Sequence, residues 1–138
     1  MPHQLEDHPV FVLMTLAGQK GFADFCKART ALLSACAKSG KNHVVMNLSR
    51  LITRGAITLE EFIDYAHSWP IGSAGRLTLA IVLPRDVSSR DDIHFFHAAA
   101  QAADAPIDVR LFENDELEMA KNWLASWLVN LAGHRQSS

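Results

Sequence analysis

The chain has 138 residues, 49% of them hydrophobic and 20% charged, which is enough apolar material for one folded core and too much for a disordered chain. A core of that size needs no metal or disulfide staple. Lys plus Arg is 13 and Asp plus Glu is 15, a net charge of −2, which excludes a general nucleic-acid or membrane-surface binder driven by excess positive charge.

Residues 1–7, Met-Pro-His-Gln-Leu-Glu-Asp, have neither a basic n-region nor an apolar h-region, so no signal peptide is expected. The longest apolar run, Val10 to Ala17, falls well short of the ~20 residues a membrane-spanning helix requires, and no stable membrane insertion is expected. Being apolar on both faces, that run predicts a central strand covered by helices on each side, ended by Gly18. Residues 22–39 then read as a helix, with Phe22, Phe25, Leu32 and Cys36 near three-and-four spacing and Gly40 as its stop. Cys26 and Cys36 lie ten apart on this helix, ~15 Å along its axis, too far for a disulfide. Free thiols without a secretion signal predict a cytoplasmic location. His43 to Leu48 is the second strand.

A loop, Ser49 to Ile57, leads to Thr58-Leu59-Glu60-Glu61, a capping box that opens a helix running to about Ser68. Trp69-Pro70 ends it, because a residue before proline avoids helical geometry. Leu77 to Leu83 is a third, wholly apolar strand closed by Pro84. Ser88 or Ser89 is the expected cap of the next helix, with Asp91 or Asp92 three residues on and an end near Ala103. Ile107, Val109 and Leu111 alternate with Asp108 and Arg110, the pattern of a half-exposed edge strand. Asn114 is the expected cap of the last helix. Its apolar stripe is Leu117, Ala120, Trp123, Leu124, Trp127, Leu128 and Leu131. The order β-α-β-α-β-α-β-α predicts an α/β fold with a mostly parallel four- or five-stranded sheet and helices packed on it. It is read as a single domain over 1–138, with a core from about 8 to 131, and every crossover is expected to be right-handed.

Catalytic signatures are sparse. His94 and His97 share a helical face with Asp91 beside them, but the spacing matches no zinc motif, and both read as solvated positions flanking Phe95 and Phe96. Gly72-Ser73-Ala74-Gly75 lies between a helix and a strand, whereas a nucleophile elbow needs strand then helix, so it reads as a connecting loop. No phosphate-cradling glycine motif occurs, and the cysteines are not a C-x-x-C pair. Asn47 stands at a strand end where a receiver-type phosphoacceptor would be aspartate. Charge is lopsided along the chain. Lys20 to Arg54 holds seven basic residues against Asp24, and Asp86 to Glu118 holds nine acidic residues against Arg90 and Arg110. That asymmetry fits either two solvated faces or electrostatic steering between copies or toward a charged partner.

The segment His43-Val44-Val45-Met46-Asn47-Leu48-Ser49-Arg50-Leu51 resembles the strand and D-L-S-G-V-type turn of STAS domains, the family of anti-sigma-factor antagonists and sulfate-transporter domains. The third strand and three later segments are similar to STAS-like bacterial proteins: Asp92-Ile93-His94-Phe95-Phe96, Val109 to Glu116, and Ala120-Lys121-Asn122-Trp123-Leu124. The resemblance implies a STAS-like fold and a non-enzymatic, regulatory protein-protein interaction module without a cofactor. It places Ala56 where such domains carry a phosphoserine, and Asn47 where they carry aspartate, so the usual phosphorylation switch is not expected. A phosphate on the nearby Thr58 would be tolerable at a helix N-terminus, but its hydroxyl reads as a cap. Because α/β folds place function in loops at strand ends, the expected interaction loop comprises Asn47, Ser49, Arg50, Arg54 and Thr58, facing another protein or a second copy. An alternative is a carrier or sensor of a small apolar ligand, held by Phe62, Tyr65, Trp69, Phe95 and Phe96. A small metal-dependent enzyme built on His94 and His97 is the third reading.

Overall fold

Short apolar runs that bury side chains on both faces build the centre of the sheet. The computed structural model describes residues 4–55, 58, 60–61, 64–65, 77–102 and 107–136, with side chains of the last helix described to residue 126. Among them the strands are β1 (Gln4–Asp7), β2 (Val12–Thr15), β3 (Gly18–Lys20), β4 (His43–Asn47), β5 (Leu51–Thr53), β6 (Leu77–Val82) and β7 (Ile107–Phe112). Three long helices accompany them, here α1 (Phe22–Ser39), α2 (Val87–Ala102) and α3 (Leu117–Gln136). The fold is α/β. Its five-stranded sheet has the order β1-β2-β4-β6-β7, parallel throughout except for β1, which pairs antiparallel with β2. A separate two-stranded parallel ribbon joins β3 to β5.

Successive residues of each central strand bury on opposite faces. Val12 and Met14, Val44 and Met46, and Leu79 and Ile81 pack with Ala28, Leu32 and Cys36 of α1 and Ile93 and Phe96 of α2. Leu13, Val45, Ala80 and Val82 point the other way, toward Ala120 and Leu124 of α3. From β2 onward each new strand adds on the same side, and crossovers of one hand then keep their helices on one face. The last helix has no further strand to reach and covers the opposite face.

Several local expectations need correction. The strand expected over Val10 to Ala17 contracts to β2, because residues 8–11 form the β1–β2 turn: His8 N–H donates to the Phe11 carbonyl at 3.0 Å and the two rings stack at 4.7 Å. After Leu16 the chain turns at Gly18, whose φ of +80° is a left-handed conformation natural to glycine, and begins β3. The exposed, polar β1 shows no apolar alternation and is held by its ladder to β2. The cap of α2 is Asp86, not Ser88 or Ser89: its carboxylate accepts the Ser89 N–H at 3.1 Å, and negative charge there suits the helix dipole. Likewise α3 begins after Glu116, since Asn114 and Asp115 form a turn in which Glu113 N–H donates to the Glu116 carboxylate at 2.8 Å. Two further readings hold: Gly40 ends α1 at φ +73°, and half-exposed β7 is an edge. The stretch Ser49 to Ile57, expected as a loop, contains β5, whose residues pair with β3, and the expected helix end at Ser68 and Trp69-Pro70 lies outside the described residues. Thr58 and Glu61 form the reciprocal capping box at 3.0 and 3.1 Å.

Candidate functional site

Parallel strands end together, so their following residues converge at one end of the sheet. Thr15 ends β2, Asn47 ends β4, and Arg85 follows β6 by way of Leu83 and Pro84. With Ser49, Arg50 and Gln4 they line a polar cleft of about 410 Å³. Its backbone is pinned. Ser49 N–H donates to the Asn47 side-chain oxygen at 3.3 Å, a local turn that redirects the chain after β4. Arg85 N–H donates to the Ser49 carbonyl at 3.1 Å, and Gly18 N–H to the Arg50 carbonyl at 3.0 Å. Both arginines are exposed.

Beside the cleft runs the β3–β5 ribbon. It carries Ile52, 44% exposed, between Arg50 and Arg54, while Leu51 turns into the core. Arg54 N–H closes the ribbon on the Lys20 carbonyl at 2.8 Å. Polar contacts fasten it to α2. Ser89, fully buried, accepts the Thr53 N–H at 2.8 Å and donates to Asp86 at 2.8 Å, and the Thr53 hydroxyl donates to Asp92 at 2.5 Å.

Of the expected interaction loop, Asn47, Ser49 and Arg50 meet in the cleft and Arg54 lies on the adjoining ribbon. Thr58 is spent on its helix cap: its hydroxyl accepts the Glu61 N–H. Ala56 lies outside the described residues. Sequence reading missed Gln4, Thr15 and Arg85, which come from three other elements. Arg85 alone left a signal, as the first charged residue after an apolar strand. The basic run from Lys20 to Arg54 does not form one face, because Lys41 pairs with Asp7 near the opposite end of the sheet and Arg29 sits over the Tyr65 ring at 5.2 Å.

The expected apolar pocket is assembled only in part. Tyr65 and Phe96 meet at 5.6 Å beside Phe25, Met46 and Ile81, around a cavity of about 40 Å³. That is room for a few water molecules. The Tyr65 hydroxyl donates to the Phe25 carbonyl at 3.1 Å. Phe95 is outside it, 46% exposed, while Phe62 and Trp69 lie outside the described residues. His94 is exposed and His97 half-buried, with burial and then the nearby His94 lowering the His97 pKa. Among the described residues no three His, Cys, Asp or Glu side chains gather as metal ligands. Arg90 grips Glu113 through two contacts, 2.7 and 3.2 Å, which hold the Glu113 carboxyl below its usual range. No helix among the described residues is long and apolar enough to cross a membrane.

Both cysteines are free thiols, but only one is available. Burial pushes the Cys36 thiol up to about 11, so almost no thiolate forms at neutral pH. Iodoacetamide at pH 8 is therefore expected to label Cys26 and spare Cys36 in the native protein, and to label both in denaturant. Peptide mass spectrometry reads this, and equal native labelling would refute the buried placement.

Comparison with protein-family models, with curated proteins and with solved structures gives no match.

Proposed function

We propose that the chain is a cytoplasmic, non-enzymatic interaction module of STAS-like type that docks a protein partner, or a second copy, on the β3–β5 ribbon. The observation that carries this reading is Ile52, exposed between Arg50 and Arg54 on a backbone tied to α2. An apolar anchor flanked by cations on a rigid support suits a partner surface with an apolar socket and acidic rim. The arginines steer encounter and orient the complex, and Ile52 supplies the buried contact. The resemblance of residues 43–51 to STAS domains, and of residues 77–83, 92–96, 109–116 and 120–124 to STAS-like proteins, supports the same class of function.

The test begins with a partner captured by the tagged chain from its native host and identified by mass spectrometry. Its affinity for the wild-type chain is then compared with that of variants. Arg50→Ala with Arg54→Ala is expected to weaken binding several-fold and to flatten its salt dependence, while Ile52→Asp costs about tenfold or more. For a second copy, the same variants reduce self-association in sedimentation velocity. Affinities unchanged in both variants would overturn the reading.

A further inference from the structure

The cleft at the strand ends has a composition that the docking ribbon does not explain. Two arginines, Arg50 and Arg85, line it, and no acidic residue does. Neither arginine takes part in a salt bridge among the described residues, although Arg90 nearby is matched by Glu113. The remaining polar lining can donate. Asn47 has its side-chain oxygen committed to the Ser49 N–H, which leaves its amide NH₂ for a ligand. Ser49 and Thr15 carry hydroxyls, and Gln4, paired with Thr15 across β1 and β2, an amide.

We infer that this cleft is a binding site for a small, multiply charged oxyanion, of phosphate or polycarboxylate class, gripped by Arg50 and Arg85. A planar guanidinium presents paired N–H donors that match two oxygens of either group. Two cations held in one concavity without a counter-charge raise the local potential, and an anion entering it relieves their mutual repulsion. The volume, about 410 Å³, is that of a small-molecule site, and a concave pocket selects a compact ligand over a flat protein face. Preorganisation is built into the backbone. The Arg85 N–H bond to Ser49 and the Gly18 N–H bond to Arg50 tie the two arginine segments to the same turn, so a ligand spends little ordering them.

The experiment is a titration of the full chain alone with inorganic pyrophosphate, and in parallel with citrate, at constant ionic strength set by sodium chloride. Calorimetry and thermal unfolding provide two readouts. Saturable binding and a rise in Tm are expected, because a ligand selective for the folded state stabilises it. Arg85→Ala is expected to lower the affinity at least about tenfold, as loss of a two-point charged contact requires. Arg85→Lys, which keeps the charge but loses the fork, falls between. Lys27→Ala, a charge-matched change on the exposed face of α1, leaves affinity unaltered. Binding of pyrophosphate, citrate or both that is lost in Arg85→Ala supports the site and names its preferred oxyanion. Absence of saturable binding, or equal affinity in Arg85→Ala and wild type, overturns it. No partner protein is present in the titration, so its outcome is independent of the docking ribbon.

Discussion

Leu32→Ala is expected to destabilise the protein by about 3 kcal/mol, within the range for truncating a fully buried leucine. Leu32 has no exposed surface and stands near the centre of α1, in the core cluster that holds Val12, Met14, Val44 and Met46. The loss combines the transfer free energy of the removed carbons with the cavity they leave, because the sheet beneath is too well tied to collapse into it. For a chain of this length that corresponds to a fall in Tm of roughly 10 °C. Urea unfolding with an unchanged slope would assign the loss to the native state, and Leu32→Met, which conserves volume, is expected to cost much less. A loss below about 1 kcal/mol would mean that α1 does not pack on β2 and β4 as described.

Ser89→Ala is expected to cost about 2 kcal/mol and to loosen the β3–β5 ribbon selectively. The Ser89 hydroxyl is buried and serves two partners, accepting from the Thr53 N–H and donating to Asp86. Its removal leaves a part-buried amide without its acceptor and takes one of two Ser89 donors from the capping carboxylate. Asp86 still accepts the Ser89 backbone N–H, so α2 itself survives. The local consequence appears at Thr53, whose amide should exchange with solvent faster than those of β4 and β6. Because Ile52 and Arg54 flank Thr53, partner affinity falls with it, although Ser89 touches no partner. Unchanged Thr53 exchange in Ser89→Ala would remove the role given to this contact.

These two sites differ in how far the amino-acid order discloses them. Leu32 lies at helical spacing from Phe25 and Cys36, so its inward direction is legible from the order of residues alone. The apolar runs His43-Val44-Val45-Met46-Asn47 and Leu77 to Val82 are equally legible, because a strand covered on both faces needs apolar residues at successive positions. Ser89 reads as a cap from sequence, yet the capping carboxylate is Asp86 and the serine is a clamp between β5 and α2. Sequence offers two or three competing caps within a few residues, and the winner depends on where the preceding strand releases the chain. The short strands β1, β3 and β5 escape period-two reading altogether. β1 and β3 bury no side chain and are held by ladder pairing with another strand, while β5 contributes only Leu51 to the core.

Chain order alone carries the α/β alternation, the apolar faces of β2, β4 and β6, the Gly40 stop and the Thr58 capping box. Each depends on residues within a few positions, where backbone geometry and hydrophobic periodicity act directly. The strand order β1-β2-β4-β6-β7, and with it the meeting of Gln4, Thr15, Asn47, Arg50 and Arg85, belongs to the folded state. Those residues are far apart along the chain and converge because parallel strands end at the same edge. The charge of the cleft follows from that convergence. A total of −2 over the whole chain contains no trace of two arginines brought to one place.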